Sequence, residues 1–196
     1  MELSKPKKPW DVLASQFLVK KIAHFKFIKP NHITFIRLIF ASSCVLMLSQ
    51  AEFIYGSFLF MIANLMDHLD GEFARFTQTK SEFGHWFDLA TDGFTIVGFF
   101  IALGIGFYET QGIFPVVSGL ISGTAILFIF IIRNKIEQAH GKKEVQQKSF
   151  YGFESEDILY LVPLLALTDT LIYFLYLSLI GSPIGVIITY MIYKKL

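Results

Sequence analysis

Charge is scarce in this chain, and cysteine scarcer still. Charged residues make up 17% of the 196, against about 25% in a typical soluble domain, too few to coat a water-exposed surface. The single cysteine, Cys44, excludes an intrachain disulfide. Its setting beside Ala41, Ser42 and Ser43 reads as small-residue packing rather than as a reactive thiol. No second soluble domain, internal repeat or low-complexity tract is visible. The first 30 residues hold seven lysines and no long apolar core, so they are not expected to be a cleaved signal peptide. The net charge of +1 hides the useful signal, which is where the charges lie; no nucleic-acid partner is expected.

What fills the chain instead is apolar bulk. Hydrophobic residues reach 54%, with 22 phenylalanines, in runs close to the roughly 20 residues that a helical bilayer span requires. Six spans are expected, near 32–50, 53–76, 83–108, 113–133, 156–168 and 170–193. The last two are predicted to part at Thr168-Asp169-Thr170, leaving Gly181, Pro183 and Gly185 to kink one long helix. Residues 9–28 mix Trp, Leu, Phe and Ile with Lys20, Lys21 and Lys26, a pattern for an amphipathic helix on the bilayer interface. The expected fold is therefore an all-α integral membrane protein. A segment over 1–30 at the interface precedes one six-span domain over 31–196.

Lysine and arginine set the expected orientation. They crowd the N-terminal segment, the second-to-third junction (Arg75, Lys80) and the 133–156 connection, whereas the three opposite turns carry Glu52, Glu109 and Asp169 but no Lys or Arg. The positive-inside rule places both termini, and the loops on their side, in the cytoplasm.

The segment Asp67 to Asp92 concentrates carboxylates where lipid should be. Ionisable groups cost about 2.5–3.5 kcal/mol each at the centre of a span, so their presence marks a functional site by default. Arg75 alone cannot pair with Asp67, Asp70, Asp88 and Asp92. Asp67, Asp70 and Ala74 share one helical face, and Gly84, Asp88 and Asp92 share another. The two helices run antiparallel about residues 78–79. Asp70 then faces Asp88 at similar depth, with Asp67 and Asp92 one layer further in. An all-oxygen ligand set calls for a hard cation such as Mg²⁺ or Mn²⁺. Gly71 and Gly84 let a bulky ligand approach the backbone, and Arg75 can grip a phosphate bidentately. Together these features point to phosphoryl chemistry on a nucleotide diphosphate.

The same residues, Asp67, Asp70, Gly71, Ala74, Arg75, Gly84, Asp88 and Asp92, resemble the D-x2-D-G-x2-A-R-x8-G-x3-D-x3-D signature of the CDP-alcohol phosphotransferase family. A chance match at eight positions is about 10⁻¹⁰ per start site at average residue usage. The resemblance implies that Asp67, Asp70, Asp88 and Asp92 hold a pair of Mg²⁺ or Mn²⁺ ions. Asp92 would also be the base that deprotonates the acceptor hydroxyl. Gly71 and Arg75 would bind the CDP donor, with Ser81 as a helper. Asn31 and Thr34, following Pro30, resemble a further donor-binding element or simply begin the first span. His68 and His85 adjoin motif positions without being among them and are read as packing residues.

The implied partners are a CDP-linked lipid donor, a polar alcohol acceptor, the bilayer and a second copy in a homodimer. The donor would be CDP-diacylglycerol or an archaeal CDP-lipid, and the acceptor serine, glycerol phosphate, inositol phosphate or another alcohol. CDP-choline- or ethanolamine-type transfer to a lipid is the alternative, and a cation- or proton-coupled transporter a more distant one. Gly119-x3-Gly123 suits a dimer contact or an intrachain one equally. Arg133, Lys135, Lys142, Lys143 and Lys148 exceed what topology needs and include candidates for binding a phosphorylated acceptor.

Overall fold

The computed structural model describes residues 10–25, 27–140 and 155–196. Among these residues the protein is all helical. The helices are α1 (Trp10–Ile22), α2 (Pro30–Ser49), α3 (Phe53–Thr77), α4 (Glu82–Gly106), the single turn α5 (Tyr108–Gln111) and α6 (Phe114–His140). A 3₁₀ helix (Ser155–Leu161) then leads into α7 (Val162–Leu167) and α8 (Leu171–Lys195). Four of them, α2, α4, α6 and α8, are long and apolar enough to cross a membrane. At 25 residues α3 is also long enough, but its aspartates and Asn64 lower its hydropathy. In the fifth expected span the apolar helix runs over Ile158–Leu167, about half the length of a full helical crossing.

Local chemistry explains the boundaries. Pro30 opens α2 at the position where a missing N–H is harmless. Gln78 takes a left-handed conformation (φ 56°) that ends α3, and the Ser81 hydroxyl accepts from Gly84 N at 3.0 Å to cap α4. The break between α7 and α8 falls at Thr168, Asp169 and Thr170, with Asp169 at φ 55°. Helix α8 continues unbroken past Gly181, Pro183 and Gly185.

The two aspartate-bearing helices are joined through a third. α3 and α4 scarcely touch each other, and α2 lies against both. α6 packs on α4, and α8 on α6. The α4–α6 seam depends on glycine: a Cβ at Gly119 would collide with the Phe100 carbonyl, and one at Gly123 would come within 3.2 Å of Val97 Cα. Gly119-x3-Gly123 therefore serves an intrachain contact. The Ser178 and Ser122 hydroxyls, 2.9 Å apart, tie α8 to α6. Phenylalanine is divided between two environments. Phe60 stacks on Phe99 with centroids 3.9 Å apart, inside a core with Phe100, Leu48 and Leu103, while Phe58, Phe94 and Phe128 face outward.

Helix α1 is held by one face. Val19 is buried with Ile33 of α2 and Phe73 of α3, and Gln16 Nε2 donates to Glu72 Oε2 at 3.1 Å. Its other side exposes Leu13, Phe17 and Leu18 beside Lys20 and Lys21, so apolar residues are not confined to the packed face.

Candidate metal and phosphate site

The site is built where α2 meets the ends of α3 and α4 that carry the aspartates. Asp67 and Asp70, one turn apart on α3, stand near Asp88 of α4. One carboxylate oxygen from each lies within 4.8 Å of the others. A single hard cation, with ligands at about 2.0–2.6 Å, can draw oxygens so spaced into its shell. The donor set contains no nitrogen or sulfur, which favours such an ion. Asp92, one turn further along α4, is not in that triad.

The first span supplies two side chains to this cluster. Thr34 Oγ1 donates to Asp70 Oδ2 at 2.8 Å, in a buried hydrogen bond. Arg37 reaches further across. Its Nη1 donates to Asp67 Oδ1 at 2.6 Å and to Asp88 Oδ1 at 2.9 Å, and its Nη2 is bonded to Asp92 Oδ1. The Arg37 side chain is 3% exposed. The sequence-based view that Arg75 was the only arginine near the aspartates is thus incorrect. Arg37 partly compensates them, though one guanidinium leaves most of four carboxylates' charge unbalanced. A signal was available: Arg37 lies one turn beyond Thr34, as the one charged residue of the apolar run 33–49, and a charged group in such a run is itself a site marker.

Arg75 is placed differently. Its guanidinium engages Glu72, with Nη2 2.6 Å and Nε 3.1 Å from Glu72 Oε1, and is 45% exposed. Gly71 lies under that guanidinium, since an added Cβ would meet Arg75 Nη2 at 3.5 Å. Asn31 sits at the beginning of α4: a Cβ on Gly84 would come within 2.9 Å of Asn31 Oδ1 and 3.0 Å of Ser81 Oγ. Gly84 therefore makes room for Asn31 and for the capping Ser81. His85 lies with Lys80, Ser81, Glu82 and Trp86 around an open depression one turn from Asp88. Asn31, Thr34, Asp67, Asp70, Gly71, Asp88 and Asp92 thus gather around the α2–α3–α4 junction, with Arg75 and Ser81 at its margin. Arg133 and Lys135 lie near the end of α6; Lys142, Lys143 and Lys148 fall outside the described residues.

The CDP-alcohol phosphatidyltransferase family model matches residues 27–192, nearly the whole chain. The chain belongs to that family. No curated protein matches it. CDP-alcohol phosphatidyltransferases move phosphoalcohol groups in phospholipid synthesis, from a CDP-alcohol donor to an alcohol acceptor, and they depend on metal. The matched region runs from before α2 into α8 and includes every residue of the site. Together with four apolar helices of membrane-spanning length, membership makes this an integral membrane transferase of phosphate-containing groups.

Proposed function

We propose that the chain transfers a phosphatidyl group from CDP-diacylglycerol, or from a related CDP-lipid, to the hydroxyl of a polar alcohol and releases CMP. The reading is carried by one observation: aspartates of α3 and α4 converge into an oxygen-only cluster inside a CDP-alcohol phosphatidyltransferase. Asp67, Asp70, Asp88 and Asp92 would hold two Mg²⁺ or Mn²⁺ ions. Bound cations supply positive charge against the diphosphate and the departing CMP.

The chain's own groups do the rest. Arg75, exposed and aimed past Gly71, exchanges Glu72 for a donor phosphate, a planar fork well matched to such an oxyanion. Asn31, Thr34 and Ser81 line the approach from α2 and the start of α4. Asp92 accepts the acceptor's proton as the acceptor oxygen bonds to the lipid-bearing phosphorus. The bond from that phosphorus to the CMP oxygen breaks, and CMP leaves with the electron pair.

This reading includes six crossings (α2, α3, α4, α6, the 158–167 segment and α8) with α1 on the interface. It also places both termini and the site on the cytoplasmic side, and two copies in a homodimer. The lysine-rich N-terminal segment and the acidic opposite turns support the orientation. CDP-choline-type transfer to a lipid acceptor shares the same site. A screen of CMP release in Mg²⁺, from CDP-diacylglycerol with single acceptors (serine, glycerol phosphate, inositol phosphate) and from CDP-choline or CDP-ethanolamine with diacylglycerol, separates the two. Release with one polar acceptor supports the proposal. Release only from a CDP-linked small alcohol with diacylglycerol assigns the alternative.

A further inference from the structure

Arg37 has a geometry suited to more than static charge balance. Its side chain is closed to solvent, yet two of the carboxylates it holds, Asp67 and Asp88, are 34% and 38% exposed. Each of these aspartates therefore presents one side to the guanidinium and another to the open end of the cluster. Both also belong to the triad spaced to share a cation. The same Oδ1 atoms, or their partners on the same carboxylates, are thus claimed twice. Arg37 is also held only by its tip, because Nε is buried without a hydrogen-bond partner. A fork whose hydrogen bonds are all made through Nη1 and Nη2 can withdraw without breaking any hydrogen bond nearer its stem.

We propose that Arg37 is a built-in counter-ion that straps the aspartates of α3 and α4 together without metal, and that divalent cations load by displacing its guanidinium from Asp67 and Asp88. The strap is needed because α3 and α4 have little direct contact. Nη1 alone bridges a carboxylate from each. A divalent cation performs the same bridging with twice the charge, so guanidinium and cation compete for one position between the two helices.

The inference rests on the metal-dependent reading above, and the test keeps the two apart. Full-length protein in nanodiscs is titrated with Mn²⁺, free ion being followed by electron paramagnetic resonance, and its thermal unfolding is measured in EDTA and in Mn²⁺. Arg37→Gln removes the competitor at similar length. It is expected to bind Mn²⁺ on the order of tenfold more tightly than wild type, to melt earlier in EDTA and to recover most of that loss in Mn²⁺. Arg37→Lys, which keeps the charge but cannot fork between three carboxylates, is expected to shift both readouts the same way by less. It decides the matter if Arg37→Gln does not fold. Equal or weaker Mn²⁺ binding by the variants, with wild type binding the ion, would overturn the role given to Arg37. No Mn²⁺ bound by any of the proteins would overturn the metal reading and this inference with it.

Discussion

Thr34 and Asp70 are hydrogen-bonded 2.8 Å apart across two helices, so a residue in the first turns of α2 fixes the orientation of a buried carboxylate on α3. Hydrogen bonds to charged groups contribute about 1.5–3 kcal/mol. Thr34→Val keeps the shape and removes the donor. It is expected to lower thermal stability by an amount in that range and to weaken Mn²⁺ binding, whereas Thr34→Ser keeps both near wild type. Thermal unfolding and Mn²⁺ titration of the two variants check this, and equal behaviour of Val and Ser would count against it.

The glycines of the α4–α6 seam should be unequal to glycines elsewhere. At Gly119 a Cβ meets the Phe100 carbonyl, while at Gly181 nothing lies within 4 Å. Gly119→Val is expected to destabilise by about 1–3 kcal/mol or more, because backbone atoms cannot step aside as side chains do. Gly181→Ala should be neutral or stabilising by about 0.5–1 kcal/mol through helix propensity. Unfolding of the two variants in the same detergent makes the comparison.

Arg75 is expected to act on the donor alone. Arg75→Ala should raise the KM for the CDP donor on the order of tenfold, the loss of a charge-assisted phosphate contact, and leave the acceptor KM unchanged. Initial rates at varied donor and acceptor read this directly. A change confined to the acceptor KM would reassign Arg75.

Much of this architecture is written locally. Apolar runs of bilayer length, Pro30 before the first of them, the polar break at Thr168-Asp169-Thr170 and the spacing of Asp67, Asp70, Asp88 and Asp92 are all features a one-dimensional reading captures. Which helices touch is not such a feature. The aspartate faces of α3 and α4 are legible as facing one another, but sequence spacing carries no information about a third helix lying against both. The charge of Arg37 within an apolar run is legible locally, but its pairing is not: its partners lie 30, 51 and 55 residues away. In the fifth expected span, Ser155–Leu161 forms a 3₁₀ helix and Val162–Leu167 a short α-helix with Pro163 in its first turn, a division that apolar composition alone does not reveal.

Asp92 stands apart from the triad, bonded to Arg37 and 15% exposed. Asp92→Asn preserves shape but cannot accept a proton. It is expected to bind the CDP donor within a few-fold of wild type and to lose turnover by about 10²–10⁴. Equilibrium binding of labelled donor, measured beside single-turnover rate, separates the two effects. Normal binding with near-normal turnover would remove Asp92 as the base.

The central claim is that the aspartate cluster, loaded with divalent metal, performs the transfer. Its most direct test is CMP release by purified wild type and Asp70→Ala from CDP-diacylglycerol, with the productive acceptor, in Mg²⁺ and in excess EDTA. Asp70→Ala should remain folded and inserted, as judged by size-exclusion profile in detergent. The account predicts CMP release by wild type in Mg²⁺, none in EDTA with recovery when Mg²⁺ is restored, and none by Asp70→Ala under either condition. Undiminished release by wild type in EDTA, or by Asp70→Ala in Mg²⁺, would contradict it.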